Sequence, residues 1–131
     1  MHQIGDVSKR LGISIDTLRY YEKIALLPPI HRKSSGLRLY GEKDVSRLKF
    51  IKRSQRMGFS LDEIKELLSF REGPQKAKPE VRKLAGQKLI EIESRLSDLE
   101  KLRNEFRLLI NLCTEDTKNC PILDAMDDKD V

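Results

Sequence analysis

Residues 79–112 read PEVRKLAGQKLIEIESRLSDLEKLRNEFRLLINL. Apolar residues recur there as Ala85, Leu89, Ile92, Leu96, Leu99, Phe106 and Ile110, and the series runs on to Cys113. The steps alternate four and three, with Arg103 the one break and Leu102 beside it. That is the roughly 3.5-residue period of a coiled-coil seam, whose stripe leaves water only against another helix. Charged residues such as Arg82, Lys83, Glu91, Arg95, Asp98 and Lys101 fill the other faces. A lone helix of this kind is marginal in water. No other stretch upstream has matching length, so the seam calls for a second copy of the same chain.

Working outward, 131 residues allow one small domain plus an extension. Charged residues make up 36% of the chain, hydrophobic ones 38%, and Trp is absent, which suits modest helical cores and a large interface. The net charge of +5 is uneven. Residues 1–75 hold 15 Lys/Arg against 9 Asp/Glu, or +6, and residues 76–131 hold 11 against 12, or −1. A basic front half points to a polyanionic partner. No stretch approaches the ~18 consecutive apolar residues of a membrane span, and no signal peptide precedes the patterned sequence. A cytoplasmic protein is therefore expected, without membrane attachment. Its two cysteines read as thiols or metal ligands rather than a structural disulfide.

Upstream of the long helix the chain divides cleanly. Residues 3–12 read as a short helix closed by Gly12, with Ile4, Val7 and Leu11 on one face. Ser14 is a good N-cap for a second helix, Ile15 to Lys23, with Leu18 and Tyr21 inward and Asp16, Arg19 and Tyr20 outward. Two short helices around a Gly-containing turn are the helix-turn-helix signature. After paired prolines, residues 31–40 read as a basic hairpin of two short strands about Ser34-Ser35-Gly36, a wing. Its Arg32, Lys33 and Arg38 suit a phosphate backbone. A third helix spans Glu42 to Met57 with Val45, Leu48, Phe50, Ile51 and Ser54 as its inner face. Ser60 and Glu63 form a capping box that starts a fourth, from Leu61 to about Phe70. Gly73 and Pro74 mark a hinge, and Pro79 suits the first turn of the long helix.

This order resembles the mercury-resistance-regulator (MerR) family of bacterial transcription factors. The resemblance is carried by Gln3-Ile4-Gly5-Asp6-Val7-Ser8, Asp16-Thr17-Leu18-Arg19-Tyr20-Tyr21-Glu22, Gly36-Leu37-Arg38-Leu39-Tyr40 and Met57-Gly58-Phe59-Ser60-Leu61-Asp62-Glu63-Ile64. The long helix and Cys113…Cys120-Pro121-Ile122-Leu123 resemble its metal-sensing branch, nearest the copper-efflux members. The fold implied is mainly α. A winged helix-turn-helix DNA-binding domain spans 1–71, a hinge 72–78 and a long antiparallel coiled-coil dimerisation helix 79–112. A metal-sensing loop, short helix and tail occupy 113–131.

The resemblance implies a homodimer on double-stranded promoter DNA that acts on RNA polymerase indirectly, by bending and untwisting a promoter whose elements are too far apart. Carried over by position, Ser14, Asp16 and Thr17 face the groove, Arg19 and Tyr20 hold phosphates, and Arg32, Leu37 and Arg38 reach the neighbouring backbone. Leu37 stands where the family usually has tyrosine, so that wing contact loses a donor.

Cys113 and Cys120 are separated by six residues, close enough for one polar loop to fold both onto a single ion. Thiolates select soft ions. Cys113 alone reads as a small hydrophobe ending the stripe. Cys120 stands in a polar stretch before a helix start, where a thiolate is favoured. In the family's divalent sensors a third cysteine from the partner chain stands near the start of the long helix. Here that region is Ala77-Lys78-Pro79, and the chain has only two cysteines. Two thiolates on a +1 ion leave −1, which Lys78 or Arg82 of the partner chain can balance. A two-coordinate site suits Cu(I), Ag(I) or Au(I), whereas Zn(II) wants four ligands. The alternatives are a divalent thiophilic ion (Zn, Cd, Pb or Hg) and a Cys113–Cys120 redox switch. A purely structural coiled-coil adaptor is disfavoured by the wing and the reading helix. No clustered acid–base set or phosphate-cradling loop suggests an enzyme.

Overall fold

Helix α1 (Ile4–Leu11) starts one residue later than its sequence suggests, because His2–Gln3 form a strand, β1, that the apolar pattern does not announce. The structure is a computed structural model that describes residues 1–112. Cys113, Cys120 and the expected terminal helix lie outside the described residues. Gly12 closes α1 in the left-handed conformation (φ 67°), its N–H donating to the Ser8 carbonyl. Helix α2 (Ile15–Lys23) follows at once. The wing is made by β2 (His31–Arg32) and β3 (Arg38–Tyr40). β2 and β3 pair as the expected hairpin, and β1 adds a third antiparallel strand on β3, so the sheet order is β1-β3-β2. His2 pairs with Tyr40 and His31 with Leu39. A strand of two residues is too short to show alternation, which is why β1 escapes a sequence reading.

Helix α3 (Glu42–Arg56) is started by Gly41, whose N–H donates to the Asp44 carboxylate at 2.9 Å. Val45, Leu48, Ile51 and Ser54 are its buried face. Phe50, expected with them, is only half-buried; it stands off their three-residue series, and the Arg71 guanidinium lies 5.4 Å from its ring centre. Helix α4 (Leu61–Glu72) carries the expected capping box: Ser60 Oγ accepts from the Glu63 N–H and Glu63 accepts from the Ser60 N–H. Leu18, Tyr40, Leu48, Ile51 and Ile64 are fully buried and draw α2, β3, α3 and α4 into one core. Each such aliphatic side chain stabilises the fold by about 1.5–3 kcal/mol.

Beyond α4 a single 3₁₀ turn (Pro74–Lys76) leads into α5 (Pro79–Leu112). The chain divides into a unit of residues 1–84 and a second beginning at Ala85. Helix α5 has 34 residues, about 51 Å at 1.5 Å per residue, and none of them is buried. Leu89, Leu96, Leu99, Phe106 and Ile110 of the seam are all exposed. No helix among the described residues is long and apolar enough to cross a membrane.

Candidate nucleic-acid interface

Helix α2 is set by a local device. Ser14 Oγ accepts from the Thr17 N–H at 3.1 Å and donates to Thr17 Oγ1 at 2.8 Å. The serine therefore satisfies one orphan donor of the first turn and spends its own proton on Thr17. The Thr17 hydroxyl proton is then the one left to donate outward. Leu18 and Tyr21 turn into the core, Tyr21 being 4% exposed with its hydroxyl donating to Gln55 at 2.9 Å. Burial pushes the Tyr21 phenol above its ordinary range, so it stays a donor.

That packing fixes the opposite face. Asp16, Arg19, Tyr20 and Lys23 are spaced as one helical face, and all four are exposed, Tyr20 by 49%. The expectation that Tyr21 packs while Tyr20 faces solvent agrees with this burial. Asp16 repels phosphates and suits a base edge such as the cytosine amino group. Arg19 and Lys23 suit phosphates.

The wing turn is closed by Lys33 N–H donating to the Leu37 carbonyl at 2.9 Å and Gly36 N–H to the Lys33 carbonyl at 2.8 Å. Gly36 takes φ 87°, a conformation that disfavours side chains. Leu37 is half-buried. Arg32 and Arg38 are not free cations. Arg38 Nε donates to Glu22 Oε2 at 2.7 Å and Arg32 Nη2 to Glu22 Oε1 at 3.1 Å. One carboxylate on α2 thus holds both wing arginines, leaving a net +1 for the three groups. In the sequence Glu22 shows only as the last residue of the Asp16–Glu22 motif. Its role depends on α2 and the wing meeting in space, and no sequence spacing signals that.

Burial pushes the Glu22 carboxyl up, but the Arg38 and Arg32 guanidiniums outweigh it and hold it below the ordinary carboxylate range. A depressed folded value gives stability that is full above the unfolded value and is lost as pH falls through the folded one. Glu22→Gln should therefore lower stability by about 1 kcal/mol at neutral pH, the cluster being partly exposed. It should also flatten the acid limb of the unfolding midpoint against pH. An unchanged limb would show that Glu22 does not carry the wing.

At the start of α5, the Lys78 carbonyl accepts from the N–H groups of Val81 and Arg82 at 3.0 and 3.1 Å, so Lys78 caps the helix with its side chain exposed. Arg82 is engaged within its own chain: Nη2 donates to the Pro74 carbonyl at 3.1 Å and Nε to that of Ala77 at 3.4 Å. The hinge expected over residues 72–78 thus carries an ordered turn pinned by Arg82. Among the described residues no group of three or more His, Cys, Asp or Glu is placed to hold a metal ion. The candidate ligands Cys113 and Cys120 lie outside the described residues.

Two family descriptions match the chain: "MerR HTH family regulatory protein" over residues 3–70 and "MerR, DNA binding" over residues 45–109. The HTH-type transcriptional regulator HmrR of Rhizobium leguminosarum bv. viciae is 39% identical, over 95% of this chain and 97% of its own. The heavy metal-dependent transcription regulator 2 of Rhizobium meliloti is 34% identical, over 94% and 84%. Among solved structures, the transcription regulator PbrR691 of Ralstonia metallidurans in complex with lead(II) is similar with a TM-score of 0.58. It is 31% identical, covering 96% of this chain and 99% of that one. With its helix-turn-helix, wing and long helix in matching order, the chain belongs to the MerR family of transcription regulators.

Proposed function

We propose that the chain is a metal-responsive transcription activator. In this reading a thiophilic monovalent ion of the Cu(I), Ag(I) or Au(I) class, held by Cys113 and Cys120, switches a promoter-bound homodimer from a silent to a productive DNA shape. MerR-family regulators bind promoter DNA as dimers, and the chain is a regulator, not an enzyme. The observation that carries the reading is the pairing of two features in one chain. One is a solvent-facing row of Asp16, Arg19 and Tyr20 beside a wing; the other is a 34-residue helix with an exposed seam that leads to two cysteines. A heavy-metal-dependent relative supports a metal signal.

Two thiolates without a third cysteine favour a monovalent ion. Lys78, exposed at the start of α5, is the better candidate to balance the surplus negative charge, since Arg82 is engaged on its own turn. The DNA step is indirect readout used as a switch: the dimer spends binding energy on bending and untwisting, and RNA polymerase responds to the DNA. Such a protein works in the cytoplasm. The second reading, a divalent thiophilic ion, is favoured by the lead(II) complex of a similar protein.

Transcription from an operator selected out of random duplexes tests this. With purified RNA polymerase, Cu(I) should raise transcript yield while footprint occupancy stays constant, and Cys120→Ser should abolish the rise. Yield that follows Zn(II) or Pb(II) instead would move the assignment to the second reading. Yield indifferent to every metal would overturn both.

A further inference from the structure

The exposed face of α2 carries one group of the wrong sign for DNA phosphates. Asp16 stands there among Arg19, Tyr20 and Lys23. Its carboxylate makes no ion pair or hydrogen bond with another side chain among the described residues. Facing phosphates, it raises the free energy of every non-specific complex, and a donor on a base edge offsets that cost. Asp16 and Thr17 are the second and third residues of α2. In a helix-turn-helix the N-terminal residues of the second helix are the ones that meet base edges. The two side chains have opposite hydrogen-bonding sense. Asp16, as a carboxylate, only accepts. Thr17 is half-buried and set to donate, because its Oγ1 already accepts from Ser14 Oγ at 2.8 Å. Ser14 Oγ is itself held by the Thr17 N–H at 3.1 Å.

An acceptor beside a donor matches a base pair that shows the reverse. In the major groove a C·G pair shows the cytosine amino group as donor and guanine O6 as acceptor. The other edges fit worse. Adenine sets its N7 acceptor beside its amino group, thymine shows an acceptor and a methyl group, and guanine shows Asp16 only acceptors. We propose that Asp16 and Thr17 select a C·G base pair in each half-site of the operator. Asp16 accepts from the cytosine amino group, and Thr17 donates to O6 of the guanine in the same pair. Ser14 is a positioning residue that fixes the sense of the Thr17 hydroxyl. This rests on the reading of the chain as a DNA-binding regulator and adds which base pair the start of α2 chooses.

The test is selection of operators from random duplexes by the full chain, followed by titration of the selected duplex and of duplexes changed at single positions in both half-sites. Wild type should show one symmetric C·G position whose replacement weakens binding by about 5- to 100-fold per half-site. Asp16→Asn should exchange that cytosine for adenine and leave the other selected positions as they were, since an amide side chain pairs with adenine N6 and N7. It should also bind an unrelated duplex more tightly than wild type, because a negative charge is gone, whereas a merely structural role would weaken both. Thr17→Val keeps the shape without the hydroxyl and should shrink the discrimination at that position by about 3- to 10-fold per half-site. Ser14→Asp still caps α2, but its carboxylate draws the Thr17 proton inward, so it should shrink the discrimination in the same way. Should the variants fold poorly, wild type is titrated on the selected duplex with the amino group removed from that cytosine, which should weaken binding by about 10-fold or more per half-site. An Asp16→Asn consensus identical to that of wild type would overturn the proposal. So would wild-type discrimination in Thr17→Val and Ser14→Asp, or unchanged affinity for the duplex that lacks the amino group. Wild type that selects no duplex would sink the DNA-binding reading itself, a separately visible failure.

Discussion

Leu99→Glu should leave the chain monomeric and lower its affinity for a duplex carrying two half-sites by about 10²–10⁴-fold. Leu99 lies on the α5 seam and is 56% exposed in the single chain, as are its seam neighbours Leu96 (52%) and Phe106 (58%). Burying a leucine against a partner stabilises by about 1.5–3 kcal/mol, and two-fold symmetry counts each seam residue twice. A glutamate there loses that gain in both protomers and must also give up water for an apolar seam. The winged unit, residues 1–84, does not contain Leu99, so each head keeps its exposed α2 face. What disappears is the coupling of two weak half-site contacts into one strong one. Sedimentation equilibrium and a duplex titration on the same samples check this. A dimer that survives with unchanged affinity would mean that the seam is not the dimer contact.

The helical frame was legible wherever a local device sets it. Gly12, Ser14 and the Ser60–Glu63 box each act within four residues, and the structure realises all three. The burial of Tyr21 and exposure of Tyr20 followed from helical spacing alone. Features built by chain segments far apart were not legible. Strand β1 exists because His2 and Gln3 meet β3 nearly forty residues on. Glu22 gains its role from arginines ten and sixteen residues away, across a turn whose path the pattern does not specify. Phe50 looked like core by composition, yet the buried series 45, 48, 51 and 54 passes it by. Arg10 of α1 and Lys49, Lys52, Arg53 and Arg56 of α3 line one shallow depression, which needs α1 and α3 in register, and no spacing in the sequence joins Arg10 to the other four.

The second large effect concerns the cysteines. Cys113→Ser or Cys120→Ser should abolish high-affinity Cu(I) binding, because a two-coordinate site that loses one thiolate has lost half of its ligands. DNA binding by the metal-free variants should be unaffected, since the candidate DNA residues all lie in the first unit, residues 1–84. Lys78→Glu should weaken Cu(I) binding more mildly, through charge alone. The replacement should leave Zn(II) binding nearly unchanged.

The most direct measurement is a competition titration of the reduced dimer against a chromophoric Cu(I) chelator, with Zn(II) run in parallel against its own indicator. A two-thiolate Cu(I) sensor holds one tightly bound Cu(I) per chain, absent from both serine variants, and binds Zn(II) weakly. Tight Zn(II) with weak Cu(I), or Cu(I) binding that survives loss of either cysteine, would contradict it.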